Sequence, residues 1–159
     1  ADNVQLHISD EATRADLDAV LTGYSNGWPV YTCGPDRYMT SVLEAAERQG
    51  FPEEARHLEY FSVPELPEYK NYDFTLRLTR SGKEFLVPAN KSATDVLEEN
   101  GIHVDVKCSD GICGVCKCDL VSGDVEHRDF VLSKSQRETS IILCQSRAAN
   151  NAGIVEIDL

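Results

Sequence analysis

The chain has 159 residues, an apolar fraction of 42% and a formal net charge of −12 at pH 7. This length allows one ordinary domain, or one small domain and part of another, and the composition is that of a folded protein. The negative charge argues against nucleic acid or an anionic membrane as the main partner. With neither a membrane-length apolar run nor a signal segment, the sequence predicts no membrane association and a cytoplasmic location.

The first part of the chain alternates strand and helix patterns. The predicted order is strand 4–9, helix 12–21, strand 28–35, helix 36–49 and strand 57–61. Gly50 ends the second helix, and the run 28–35 is apolar enough for a buried parallel strand. This order corresponds to half of a doubly wound α/β sheet, since the glycine-rich turn of a complete dinucleotide-binding domain is missing.

A change of composition near "SVPELPEYKNY" (62–72) indicates a linker, because its prolines and short polar residues show no periodicity. The sequence therefore predicts a partial nucleotide-binding domain at 1–65, a linker at 66–72 and a second domain at 73–159.

The second part has the pattern of a small α+β domain. Strands are predicted at 73–80, 84–89, 141–146 and 154–159, with a further hairpin at 116–127 around Ser122-Gly123. A helix is predicted from the N-cap Ser92 to Asn100, where Gly101 ends it, and a short one at 130–137. Together these elements predict a mixed sheet that packs against one helix.

Six cysteines are present, and their spacing indicates a function. Cys108, Cys113 and Cys116 lie within "CSDGICGVC", and Cys144 follows 27 residues later. This is the plant-type spacing for a [2Fe–2S] cluster. Three thiolates come from one tight loop, whose glycines Gly111 and Gly114 allow sharp turns, and the fourth arrives on a distant strand.

Two other interpretations of the cysteines remain open. Zinc sites use two closely spaced cysteine pairs or cysteine–histidine sets, and this chain has one such pair, with no histidine at a matching distance. Disulfides are unusual in a cytosolic protein. Cys118 follows the loop on a predicted strand and is interpreted as a small buried side chain.

The segment from Asp73 to Leu159 resembles a plant-type ferredoxin domain, which implies a β-grasp fold. Its sequence "VDVKCSDGICGVCKCDLVSGDVEHRDFVLS…IILCQSRA" is similar to that of the C-terminal ferredoxin domain of the phthalate dioxygenase reductase-like proteins, including vanillate demethylase reductases. The resemblance implies that the preceding residues are the C-terminal half of a ferredoxin-reductase-type α/β nucleotide-binding domain.

The first part supports the same resemblance. "VYTCGPDRYM" (30–39) is similar to the end of the pyridine-nucleotide domain in the ferredoxin–NADP reductase superfamily. If this resemblance holds, Cys33 would lie beside the nicotinamide, where hydride moves to flavin, and Gly34 and Pro35 would shape the turn. Phe61 would be the terminal aromatic residue near flavin and nicotinamide.

The resemblance implies an electron-transfer reductase in which electrons pass from NADH through FMN and a [2Fe–2S] cluster to a terminal oxygenase of the Rieske non-haem iron type. The FMN domain of full-length relatives is not in these residues, so we expect a C-terminal portion of such a protein that does not hold FMN by itself. The acidic residues near the cysteine loop, Asp105, Asp110 and Asp119, are candidates for steering a basic partner. A stand-alone ferredoxin carrier and a zinc-stabilised binding module are the alternative functions.

Overall fold

The structure, a computed structural model, describes residues 4–8, 13–22, 27–61, 63–64 and 67–159. It divides into two compact units, Ala1–Phe61 and Ser62–Leu159. The division lies a few residues before the predicted linker at 66–72, and the assignment of 1–65 and 73–159 as domains stays a prediction. No helix in the described part of the chain is long and apolar enough to cross a bilayer.

The first unit contains a short β-α-β arrangement. Its elements are α1 (Leu17–Val20), β1 (Val30–Thr32), α2 (Asp36–Arg48), a 3₁₀ turn (Glu53–Ala55) and β2 (Arg56–Leu58). β1 and β2 pair in parallel, with Tyr31 opposite His57, and α2 connects them. The predicted helix 36–49 is confirmed, and the strands predicted at 28–35 and 57–61 exist in shorter form.

The strand predicted at 4–9 is wrong for the residues that the structure describes, since residues 4–8 form no strand. Val4 and Leu6 are both largely exposed, so the alternating pattern has no buried face and no partner strand to satisfy it. The Ile8 N–H donates instead to the Thr13 hydroxyl at 2.7 Å. Residues 9–12, which include the predicted start of the first helix, lie outside the described part.

The second unit is a mixed sheet with one helix, as the sequence predicts. Its elements are β3 (Phe74–Leu78), β4 (Glu84–Val87), α3 (Ala93–Glu99), β5 (Lys117–Ser122), β6 (Val125–Glu126), a 3₁₀ turn (Gln136–Glu138), β7 (Ser140–Ile142), β8 (Arg147–Ala148) and β9 (Ile154–Ile157). The main sheet has the order β4-β3-β9-β5-β7, in which β3 and β9 are parallel and the other pairs antiparallel. β6 and β8 form a separate two-stranded sheet.

One hydrophobic core joins this sheet to α3. Leu76, Leu97 and Val155 are fully buried in it. Ser92 caps α3 by accepting the Asp95 N–H at 3.1 Å, while the Asp95 carboxylate accepts the Ser92 N–H at 2.8 Å. This capping box explains why so short a helix begins at a defined residue, and the predicted N-cap is confirmed.

Two local predictions in this unit are wrong. The hairpin around Ser122-Gly123 does not form, because β5 pairs with β7 and β9 while β6 pairs with β8. A Cβ at Gly123 would lie 2.5 Å from the Ile154 carbonyl oxygen, so the chain passes directly over β9 there instead of turning tightly. The helix predicted at 130–137 is reduced to a 3₁₀ turn at Gln136–Glu138; before it, the Asp129 carboxylate binds the N–H groups of Val131 and Leu132, but no helix follows.

Candidate iron–sulfur site

The cysteine-rich loop, residues 108–116, connects the segment after α3 to β5. Gly111 and Gly114 both have left-handed backbones, with φ of 73° and 71°. A Cβ on Gly111 would lie 3.3 Å from the Arg128 carbonyl oxygen and from the Asp129 Cα. The Phe130 N–H also donates to the Gly111 carbonyl at 3.0 Å, so segment 128–130 packs directly on the loop.

Cys108 and Cys113 form the outer pair of thiols. The Asp110 N–H approaches the Cys108 Sγ at 3.4 Å. Burial tends to raise the pKa of Cys108. The backbone N–H groups of Asp110, Ile112 and Cys113, together with the Cys113 thiol, outweigh it and lower this pKa to about 7. The loop backbone is therefore arranged to stabilise a thiolate.

Cys116 and Cys144 form the inner pair, and both are buried. Cys116 directly precedes β5, and Cys144 follows β7. The Leu143 N–H donates to the Cys116 carbonyl at 3.3 Å, so the pairing of these two strands brings the two thiols together. A hydrogen bond with the Cys144 thiol lowers the pKa of Cys116 to about 6 despite burial. The same contact, and burial, raise the pKa of Cys144.

The two thiol pairs match what a [2Fe–2S] cluster requires. Each of its two irons takes two cysteine sulfurs in addition to the bridging sulfides. All six cysteines are free thiols, which leaves the sulfurs of the two pairs available as ligands, although Cys144 lies just after β7 and not within the strand predicted at 141–146. Backbone N–H groups that point at ligand sulfurs are a recurrent feature of such sites. The residues present therefore fit the cluster.

The arrangement fits zinc less well. A structural zinc ion needs four ligands around one point. In the described part of the chain, no three His, Cys, Asp or Glu side chains gather around a position for a single metal ion. Two separate pairs satisfy a binuclear centre but not a mononuclear one.

Cys118 lies apart from both pairs. Its Sγ points toward the Asp158 carbonyl oxygen at 3.8 Å, and the side chain packs against the main core. Burial raises its pKa. A half-buried thiol that packs in the main core, away from both pairs, is a suitable core residue, as the sequence predicts.

The remaining predicted site residues lie in the first unit. Cys33 directly follows β1 and is half-buried, Gly34 has a φ of 147°, and Pro35 precedes the first residue of α2. Phe61 follows β2 and is 86% exposed. Because β1 and β2 are parallel, Cys33 and Phe61 follow the same edge of the sheet; their roles toward nicotinamide and flavin stay predictions.

Sequence reasoning missed three buried charged residues near the inner pair: Arg128, Asp129 and Arg147. The Asp129 carboxylate fixes the segment that packs on Gly111, through the Val131 and Leu132 N–H groups. Arg128 lies in that segment and Arg147 lies in the stretch after Cys144, and each forms hydrogen bonds with residues far away in the sequence. The only sequence signal is that both arginines lie in stretches that flank predicted strands, which is too common a pattern to indicate burial.

Comparison with known proteins places the site in a family. Residues 76–149 match the family model of the 2Fe-2S iron-sulfur cluster binding domain. The phthalate 4,5-dioxygenase oxygenase reductase subunit of Pseudomonas putida is 35% identical over 159 residues, which cover 99% of this chain and 48% of that protein. The vanillate O-demethylase oxidoreductase of a Pseudomonas species is 32% identical over 161 residues, covering 99% and 51% respectively.

The solved structure of phthalate dioxygenase reductase, described as modular for electron transfer from pyridine nucleotides to [2Fe–2S], superposes with a TM-score of 0.63 at 34% identity. The match covers 93% of this chain and 45% of that one, so the chain spans about half the length of the relatives it matches. These matches support the predicted ferredoxin fold for the second unit and the reductase type for the first. Over most of its length the chain is therefore homologous to phthalate dioxygenase reductases and vanillate O-demethylase oxidoreductases, and it contains a 2Fe-2S iron-sulfur cluster binding domain at residues 76–149.

Proposed function

We propose that Cys108, Cys113, Cys116 and Cys144 hold a [2Fe–2S] cluster through which the chain passes single electrons to a terminal oxygenase. The observation that supports this most directly is the gathering of the four sulfurs into two pairs, with backbone N–H groups directed at them. When bound, the cluster supplies one-electron chemistry at a potential of about −400 mV, typical of the plant type.

The chain's own residues prepare the ligands. The N–H groups of the loop stabilise thiolate at Cys108, so metal binding displaces a proton easily there. The pKa of Cys116 is lowered as well, because the Cys144 thiol keeps its own proton and donates a hydrogen bond to the Cys116 sulfur; metal binding then has to displace the Cys144 proton. Gly111 and Gly114 give the loop the left-handed turns that this arrangement requires.

We place the electron exit at the outer pair, since Cys113 is exposed and Cys108 half-buried, whereas Cys116 and Cys144 are buried. Val115 lies two residues after Cys113, and its exposed side chain adds apolar surface to the loop, as a transient docking face requires.

Charge around the loop is proposed to steer the partner. Asp105 and Asp119 are exposed, and Asp110 lies within the loop itself, so a partner with a basic docking face would be attracted. The family relationship supports a Rieske non-haem iron oxygenase as that partner. A cytoplasmic location fits the proposal, since free thiols persist in a reducing compartment.

We further propose that NADH and FMN supply the electrons, with FMN bound by the part of the relatives that this chain does not match. Cys33, Gly34 and Pro35 would line the nicotinamide, and Phe61 the flavin; the high exposure of Phe61 leaves its ring free for such a contact. Stopped-flow reduction of flavin by NADH tests this in a protein that joins the flavin-binding part to this chain. An unchanged hydride-transfer rate in Cys33→Ala would count against the assignment.

The cluster proposal is tested by anaerobic reconstitution with iron and sulfide, followed by iron analysis, visible absorption and electron paramagnetic resonance of the reduced protein. We expect two irons per chain and a red-brown [2Fe–2S] spectrum in the wild type. Replacing any one of Cys108, Cys113, Cys116 or Cys144 with serine should abolish or strongly alter the spectrum. Cys118→Ser is the matched control, and it should leave iron content and spectrum unchanged. A colourless wild type, or a Cys118→Ser variant as damaged as the others, would refute the ligand assignment.

A further inference from the structure

Arg147 is a buried cation three residues after the proposed ligand Cys144. Only 5% of it is exposed. Its guanidinium donates to the carbonyl oxygens of Lys91 at 2.6 Å, Pro88 at 2.9 Å and Tyr72 at 3.0 Å, and it lies 5.0 Å from the centre of the Phe74 ring. These contacts fix the position of the charge.

No carboxylate in the described part of the chain lies within ion-pair distance of Arg147. Among the described residues its hydrogen-bond acceptors are neutral carbonyl groups, and its Nε is buried without a partner. Burial lowers the pKa of Arg147, as does the nearby positive charge of Arg128, while the carboxylates of Asp73 and Glu126 act in the opposite direction from beyond ion-pair distance; a guanidinium stays protonated at neutral pH. A full positive charge is therefore held inside the protein.

Arg128 provides an internal comparison. It is also buried, but Glu126 accepts hydrogen bonds from its Nε and its Nη2, and the Asn71 side-chain oxygen accepts one from its Nη1 at 2.6 Å. The charge of Arg128 is thus neutralised at short range, whereas that of Arg147 is not.

Both arginines share a cavity with Cys144, one of the two inner thiols. A cavity of about 200 Å³ is lined by Arg128, Arg147 and Cys144 together, and the remaining lining is mostly polar. In such a partly buried setting charges interact much more strongly than in water. Reduction adds an electron to a centre that its thiolates already make negative, so a neighbouring cation stabilises the reduced form more than the oxidised form.

We propose that Arg147 is a positioning residue for electron transfer: it places a positive charge without an ion-pair partner on the cavity that Cys144 also lines, and thereby raises the reduction potential of the cluster. Glu126 limits the corresponding effect of Arg128 by neutralising it. The inference rests on the proposed cluster function and adds a residue that determines the driving force for passing the electron onward.

The test is a redox titration of the cluster-loaded full chain, followed by visible absorption, after iron content has been measured for each variant. Arg147→Gln should lower the equilibrium constant for one-electron reduction of the cluster about tenfold, which corresponds to a fall in reduction potential of about 59 mV. Arg147→Lys keeps the charge and should stay close to the wild type. Glu126→Gln leaves Arg128 unpaired and should raise the potential. Lys83→Gln, on the β3–β4 turn at the opposite side of the sheet, is the matched charge control and should cause no shift.

An unchanged potential in cluster-loaded Arg147→Gln would overturn the inference, and so would an equal fall in Arg147→Lys. If Arg147→Gln fails to fold, the Glu126→Gln variant provides the test. A reduction potential that does not rise in Glu126→Gln would contradict the argument that buried arginine charge stabilises the reduced cluster. A wild-type chain that takes up no iron would instead overturn the proposed function and this inference with it, so the two failures are distinguishable.

Discussion

Replacing Gly111 with alanine should be among the most damaging small changes in the second unit. Its φ of 73° costs a residue with a side chain about 1–2 kcal/mol. The new Cβ would also lie 3.3 Å from two backbone atoms, the Arg128 oxygen and the Asp129 Cα, and from the Gln145 Cγ. Backbone atoms cannot move aside as a flexible side chain can, and overpacking of this kind costs about 1–3 kcal/mol. We therefore expect a total loss of about 2–5 kcal/mol, a large fraction of ordinary domain stability.

Gly114→Ala is the matched control, since the two glycines share a loop and a left-handed backbone. The added Cβ would meet only the Val131 side chain, at 3.6 Å, which is an ordinary contact. Its cost should be the backbone component alone, about 1–2 kcal/mol. Anaerobic urea unfolding, followed by the visible absorbance of the bound cluster, measures both variants. Equal losses of stability in Gly111→Ala and Gly114→Ala would refute the argument that segment 128–130 packs tightly on the loop.

Three further predictions concern the scaffold around the loop. Ser92→Ala removes the cap of α3 and should cost about 1 kcal/mol by urea unfolding, whereas Ser81→Ala in the exposed β3–β4 turn should cost little. Asp129→Ala leaves the buried Leu132 N–H without its acceptor and should cost about 1–3 kcal/mol in the same assay, with faster iron release to a chelator. Burial, which the charge of Asp129 opposes, holds the pKa of His127 below its usual 6.5, so the unfolded chain binds a proton before the folded chain does as the pH falls. The free energy of unfolding of the wild type should therefore decrease below about pH 6.5, and that of His127→Gln should decrease less.

The candidate ligands and the single helix could be predicted from sequence because each depends on local information. The spacing of Cys108, Cys113 and Cys116 reflects one short loop, and Ser92 with Asp95 forms a cap within one turn. The β5–β6 hairpin was wrong because strand partners are chosen by long-range packing. Ser122-Gly123 has the composition of a turn, yet β9, far along the chain, approaches the backbone there and pairs with β5.

The buried arginines were missed for the same physical reason. The three carbonyl oxygens that bind Arg147 belong to Tyr72, Pro88 and Lys91, which lie more than fifty positions earlier in the sequence. A buried charge is stable only when such acceptors converge on it, and no local pattern shows that they do. The first unit illustrates the opposite error, because the alternation at residues 4–8 suggests a strand for which the described part of the chain supplies no partner.

The closure of the proposed site depends on the register between β5 and β7. Lys117 pairs with Ile142 and Cys118 with Ile141, which places the residue before β5, Cys116, beside the residues that follow β7. A shift of one residue would turn every side chain of β7 to the opposite face and carry Cys144 away from Cys116. The register is held by packing on both faces, since Ile141 is buried in the main core and Ile142 in the cluster that contains Cys116 and Cys144, and neither environment is shaped for the other side chain. The stability of the main core and the geometry of the fourth ligand are therefore consequences of the same strand pairing.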